Sequence, residues 1–234
     1  MHCIDPSRAF LGLLLGTGIA LSAHAGRPLQ TEDAGVLDRG ACEVEGAMAR
    51  LSADGATARE SALQIGCGLG WNSQLALGAA SAKEGGAREK GLALAGKTAL
   101  WTGPGDDPAA LSLAWGLQWL EADGDTWRHA GSDVNLVYSR PLAAELTLHA
   151  NLGHARDRAG RQDSTSWAVA LEHAGFGSLA PMAEVFGDDR QAPWWNLGLR
   201  WTAVPERVDV DLSYGRQMVG GRPRLVTLGF KFAF

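Results

Sequence analysis

Residues 224–234 read RLVTLGFKFAF, and this stretch decides the fold. Successive side chains of an extended chain point to opposite faces. Val226, Leu228, Phe230, Phe232 and Phe234 therefore share one face, and Leu225, Thr227, Gly229, Lys231 and Ala233 share the other. One face is wholly apolar and ends on an aromatic ring, while the other carries a charge among small residues. Residues 208–215 (VDVDLSYG) repeat the pattern, with Val208, Val210, Leu212 and Tyr214 opposed to Asp209, Asp211 and Ser213. In 144–152 (AELTLHANL), Leu146, Leu148 and Leu152 oppose Glu145, Thr147, His149 and Asn151.

Twelve alternating segments follow one another from residue 41 onward: 41–52, 57–69, 73–82, 88–101, 108–121, 127–139, 144–155, 163–173, 177–187, 193–203, 207–217 and 224–234. Between them stand turn formers such as Asp54-Gly55, Glu84-Gly85-Gly86, Asp123-Gly124-Asp125, Pro141, Asp188-Asp189, Pro205 and Gly220-Gly221. The segment lengths suit strands that cross a bilayer in about 9–11 residues at about 45°. A soluble β-sandwich also alternates. The leader described below, the Leu, Val, Trp and Phe faces and the aromatic C-terminus point instead to an all-β transmembrane antiparallel up-and-down β-barrel of about twelve strands. Such a barrel has an apolar outside, a polar inside and no open edge. An even strand count returns both chain ends to the periplasm, and the expected location is a bacterial outer membrane. Trp71, Trp101, Trp119, Trp127, Trp194, Trp195 and Trp201 lie near segment ends, where aromatic girdles are expected; the alternative for a few of them is a place in the core.

Composition agrees. The 234 residues are 46% hydrophobic and 20% charged, with 31 Gly, nine Trp and a net charge of −5. An acidic chain with no basic run in its sequence is not a nucleic-acid binder. Three Cys are too few for a disulfide framework. Arg8 precedes the apolar run Ala9–Leu21, which closes on Ala23-His24-Ala25, an A-x-A cleavage pattern. Residues 1–25 thus read as a secretory signal peptide. Residues 26–40 form an N-terminal periplasmic or luminal segment, and 41–234 form the barrel. No later apolar stretch is long enough for a transmembrane helix.

A two-residue type I′ turn at Asp54-Gly55 pairs Val44 with Ile65 and Cys42 with Cys67. The cysteine rung is non-hydrogen-bonded, with Cα atoms about 4.5 Å apart, within disulfide range. In an oxidising periplasm a Cys42–Cys67 disulfide is expected near the periplasmic rim. The same register sets Arg50 opposite Arg59, which is unfavourable unless both lie in water above the apolar band.

Residues 26–45 (GRPLQTEDAGVLDRGACEVE) carry Arg27-Pro28-Leu29, Thr31, Asp33-Ala34, Gly40 and Glu43-Val44-Glu45. They resemble the opening motif of a bacterial outer-membrane β-barrel family, the meta-pathway phenol-degradation or transporter-like family. Weaker similar pieces are Asp133-Val134-Asn135-Leu136, Ala183-Glu184-Val185-Phe186-Gly187 and Val208-Asp209-Val210-Asp211-Leu212. The resemblance implies an outer-membrane location and passage of small hydrophobic or aromatic compounds, and it brings no catalytic residues.

With apolar faces toward lipid, the lumen receives Glu43, Glu45, Lys97, Asp133, Glu145, His149, Glu172, Glu184, Arg200, Asp209, Asp211 and Lys231. Such a set either lines a wet channel with a weak preference for neutral or cationic solutes or pairs internally as a structural network. Twelve strands lie between side-chain-filled eight-stranded barrels and open porins. The polar segment Gly26–Gly40 either folds inward as a stopper, with Arg27 meeting a luminal acid, or hangs as a periplasmic tail.

The expected partners are outer-membrane lipid and lipopolysaccharide, the barrel-assembly machinery through the strand ending in Phe234, and a small-molecule solute. An enzyme is not expected. Ser164 and Ser166 neighbour His149 and His154, but no G-x-S-x-G is present. No cofactor or metal is expected, because Asp106-Asp107 and Asp188-Asp189 lack a complete ligand loop.

Overall fold

A computed structural model describes residues 29–53, 55–105, 108–158, 160–218 and 223–234. The leader 1–25, Arg27 and Asp106-Asp107 lie outside the described residues. The strands are β1 (Cys42–Ala53), β2 (Ala56–Gly70), β3 (Ser73–Glu84), β4 (Ala87–Thr102), β5 (Ala110–Ala122), β6 (Arg128–Ala143), β7 (Leu146–Asp157), β8 (Gln162–His173), β9 (Leu179–Asp188), β10 (Trp194–Val204), β11 (Val208–Gln217) and β12 (Arg224–Ala233). Each pairs antiparallel with the next, and β1 pairs with β12, so the sheet closes on itself. Twelve strands in one closed ring are a barrel, not a sandwich. Closure leaves no unpaired edge, as a hydrocarbon surrounding requires.

The side chains are distributed as in a protein turned inside out. Met48, Leu77, Leu152, Leu197, Leu212 and Leu228 stand exposed on the outside. Ala58, Ala95, Val137, Ser112, Asn196 and Asp211 are buried within. An apolar belt of this extent around a whole molecule is a surface for lipid. Turns at both rims are short. One rim carries both ends of the barrel, at Cys42 and Phe234, joined by the Cys42 N–H to the Phe234 carbonyl at 2.9 Å.

Two expectations from the sequence change. Pro141 does not end β6. The register shifts between Pro141 and Ala143, and such a bulge accommodates the missing proline N–H. The strand therefore runs on to Ala143, and the turn moves to residues 144–145. Glu145 then leaves the lumen for the rim, where its carboxylate lies 3.9 Å from His173 Nε2 and its side chain is 60% exposed. The second concerns Trp194, which takes the core alternative and leaves the girdle. Adjacent strand residues cannot both face lipid, and Trp195 takes the outer position, tilted against Tyr214 at 5.7 Å. Trp194 points inward, stacks on Phe186 at 6.2 Å and packs against the buried Leu51, Ala58 and Leu225.

The first hairpin runs in register from Ala53–Ala56 to Cys42–Cys67. The two cysteines are bonded, with Cα atoms 4.2 Å apart. They share the outward face with Val44 and Ile65, close to the rim that carries the chain ends.

Candidate functional site

The lumen is the candidate site, and the chain's own N-terminal segment occupies it. Residues 29–40 have no strand pattern and cross the interior from β9 back to β2. Their polar backbone finds partners on the walls, as buried N–H and C=O groups must. Glu184 of β9 accepts from Gln30 N at 2.8 Å, from Thr31 N at 2.9 Å and from Thr31 Oγ1 at 2.7 Å. Asn196 of β10 steadies that carboxylate through its Nδ2 at 2.8 Å. Asn151 of β7 accepts from Glu32 N at 2.6 Å and donates to Glu32 O at 3.0 Å. Ala34 donates to Ser139 Oγ at 2.8 Å and accepts from Ser112 Oγ at 2.6 Å. Lys97 Nζ donates to Asp33 O at 3.0 Å, and Leu37 N donates to Gln74 Oε1 at 2.6 Å. Apolar anchors sit at intervals: Leu29 packs on Ala170 and Met182, and Ala34 on Ala114 and Val137.

One glycine makes the crossing possible. Where the segment leaves the lumen it lies against β2, with Gly40 N donating to Gly68 O at 2.9 Å. A Cβ on Gly68 would come within 2.0 Å of the Asp38 carbonyl oxygen and 2.4 Å of that of Leu37. No other residue fits beneath the segment there.

The wall itself is wired by charge. Arg200 donates through Nε to Asp211 at 2.9 Å and through Nη1 to Glu172 at 3.2 Å. Glu172 lies 3.9 Å from His149 Nε2, and His149 Nδ1 shares a hydrogen bond of 2.8 Å with Ser139 Oγ. The chain Asp211–Arg200–Glu172–His149–Ser139 thus reaches the Ala34 amide of the crossing segment. Beside it, Lys231 pairs with Asp209 at 2.9 Å, and Thr202 Oγ1 donates to Asp209 at 2.8 Å. Glu45 faces Lys231 across β1–β12 and accepts from Gln64. Asp133 accepts from Gln118. Burial pushes the Glu32 carboxyl of the crossing segment up to about 7, against the opposing pull of Lys97.

Glu43, Glu45, Lys97, Asp133, His149, Glu172, Glu184, Arg200, Asp209, Asp211 and Lys231 all lie on inward positions of their strands. The sequence reading missed Gln74, Ser112, Ser139 and Asn196, which hold or brace the segment, and the inward Glu60, Glu84 and Glu89; it named Thr31 and Asn151 without giving them this role. Period two alone locates these, because Glu60, Gln74, Glu84, Glu89 and Asn196 each sit on the inward face of their own strand. Neutral residues were passed over for lack of charge. His154 pairs with Thr165 on the outer face, while Ser164 and Ser166 face inward, so His154 meets neither serine; the serine that His149 meets is Ser139. Among the described residues no cluster of three His, Cys, Asp or Glu could hold a metal.

Solved structures with this fold include a KdgM porin in complex with disordered oligogalacturonate, at 8% identity and a TM-score of 0.60, covering 82% of this chain and 99% of that one. An outer-membrane channel from Pseudomonas putida F1 is similar at 10% identity and 0.60, covering 86% and 98%. The β domain of the Bordetella autotransporter BrkA is similar at 17% identity and 0.52, covering 84% and 100%. At these identities the likeness is one of fold, that of an outer-membrane β-barrel. No curated protein matches the chain. A family model described as Uncharacterised conserved protein UCP029691 matches residues 13–234, and the chain belongs to that family.

Proposed function

We propose that the protein is a passive outer-membrane channel for small molecules whose lumen is closed at rest by its own N-terminal segment. The observation that carries this is the kind of closure. The lumen is crossed by a separate piece of chain, held mainly by hydrogen bonds to β3–β7 and β9. A piece held this way can leave without breaking a strand pair. The wall behind it is polar and charged, as a water-filled passage requires. The fold neighbours that are porins and channels support the reading. The solute class, small hydrophobic or aromatic compounds, rests on the resemblance carried by residues 26–45 to the meta-pathway phenol-degradation or transporter-like family.

A closed structural barrel is the second reading. It is favoured by the luminal cluster of Trp194, Phe186, Leu51 and Leu225, which fills part of the half away from the chain ends. Solute entry into liposomes carrying the refolded mature protein separates the two. A phenol, a small sugar and a small cation are compared against a strand-deleted control. The channel reading expects the phenol to enter faster than in the control. Entry of none of the three, with the barrel shown folded by heat-modifiable gel mobility, supports the structural reading.

A further inference from the structure

The barrel assembles a row of cations on its outer wall that the linear sequence does not show. Arg50 pairs directly with Arg59 across β1–β2. Arg59 pairs with Lys83 across β2–β3, and Lys83 with Arg88 across β3–β4. On the other side Arg224 of β12 pairs with Ser52, two residues from Arg50, and with Arg216 of β11. All six side chains fall on the outward face, and all except the half-buried Arg216 are exposed. At one strand per about 4.8 Å, the row spans roughly 25 Å of the wall. It lies at the rim away from the chain ends.

Among the described residues no carboxylate forms an ion pair with this row. The outward positions of β11, β12 and β1–β4 hold no carboxylate among the described residues; Glu121 of β5 is taken by Lys90 at 3.1 Å, and Asp123, in the turn after β5, accepts from the Arg88 backbone N–H at 2.8 Å. Like charges directly opposite one another destabilise a strand pair. Four in succession call for an anion from outside the chain. An open groove at the tips of β2–β4 is lined by Arg59, Lys83 and Arg88 together with the buried Glu84. On the lipid-facing side of the row come Met48, Leu63, Leu77, Leu92 and Val226, all exposed and apolar. The surface thus has phosphate-sized basic contacts above and acyl-chain contacts below, and guanidinium groups bind phosphate oxygens in a bidentate fork.

We propose that this wall is a binding site for a phosphorylated glycolipid of the outer leaflet, whose phosphates lie along Arg216, Arg224, Arg50, Arg59, Lys83 and Arg88. A glycolipid with several phosphates matches the length of the row better than a phospholipid with one. The site is independent of whether the lumen conducts.

The test uses the folded full-length mature protein in neutral detergent. The temperature at which the compact gel band is lost is read with bis-phosphorylated lipid A, with dephosphorylated lipid A and with phosphatidylglycerol. Bis-phosphorylated lipid A is expected to raise it by roughly 5 °C or more, as a ligand at a hundredfold its dissociation constant does for a chain of this length. The gain is expected to shrink in high salt. It is expected to vanish in the triple variant Arg59→Gln/Lys83→Gln/Arg88→Gln and to persist in Arg156→Gln, an outward cation off the row. Without lipid, the triple variant is expected to be at least as stable as the parent, because like-charge pairs have been removed; this shows that it folds. An equal response from the triple variant, or an equal gain from phosphatidylglycerol or dephosphorylated lipid A, overturns the proposal.

Discussion

Among the described residues, Glu184 accepts more hydrogen bonds from the crossing segment than any other side chain. It accepts from two backbone amides and a hydroxyl of the crossing segment, besides Asn196. Hydrogen bonds to a charged group contribute about 1.5–3 kcal/mol each. Glu184→Ala removes the acceptor without touching a strand pair, so it should free Gln30 and Thr31 and raise solute entry while the barrel stays folded by gel mobility. Gly68→Val should act the same way by a different cause, because its side chain would stand where the Asp38 and Leu37 carbonyls lie. Glu32 adds a pH dependence. Its carboxyl titrates at about 7 when seated, against an ordinary 4.5. The seated state therefore holds its proton more tightly than the released one. The Glu32 contribution to seating weakens as pH rises from about 4.5 through 7, by about 3 kcal/mol in all. Solute entry should rise across that window, and Glu32→Gln should flatten the profile. Arg200 bridges Asp211 and Glu172 on the wall. Arg200→Ala takes the guanidinium from Asp211, which is 1% exposed, and should cost about 3–5 kcal/mol in urea unfolding in micelles.

At the scale of elements, the strands were legible because each alternates strictly, and the first hairpin because Asp54-Gly55 fixes its register. The paired numbering of Cys42 with Cys67 follows from that turn, and the loop that the bond closes should stabilise the barrel by about 3 kcal/mol in the chain-entropy account. Cys67→Ser is expected to lower the unfolding midpoint accordingly, and a reductant should do the same to the parent protein but not to the variant. Pro141 misled the reading because a proline signals a turn locally, whereas a bulge can keep it within a strand. Trp194 and Trp195 read alike from their place at a segment end, and it is the alternation of β10 that sends Trp194 to the core and Trp195 outward. The basic row lay hidden for another reason. Its members are spread from Arg50 to Arg224 and become neighbours only when six strands are set in register.

For the whole molecule, the wall was legible and its contents were not. Periodicity names which residues face inward, but not what fills the space they enclose. Residues 29–40 have no periodicity, and their partners lie far along the chain: Gln30 meets Glu184 and Ala34 meets Ser139. Such contacts exist only once the barrel closes, which is why a stopper and a tail read alike in sequence. The central claim is that this segment closes a lumen that conducts without it. The most direct measurement is entry of a phenol into liposomes carrying either the mature protein or a variant lacking Leu29–Gly35, both shown folded by gel mobility. The account predicts slow entry for the mature protein and a clear gain for the variant. A folded variant that admits solute no faster than the mature protein would contradict it.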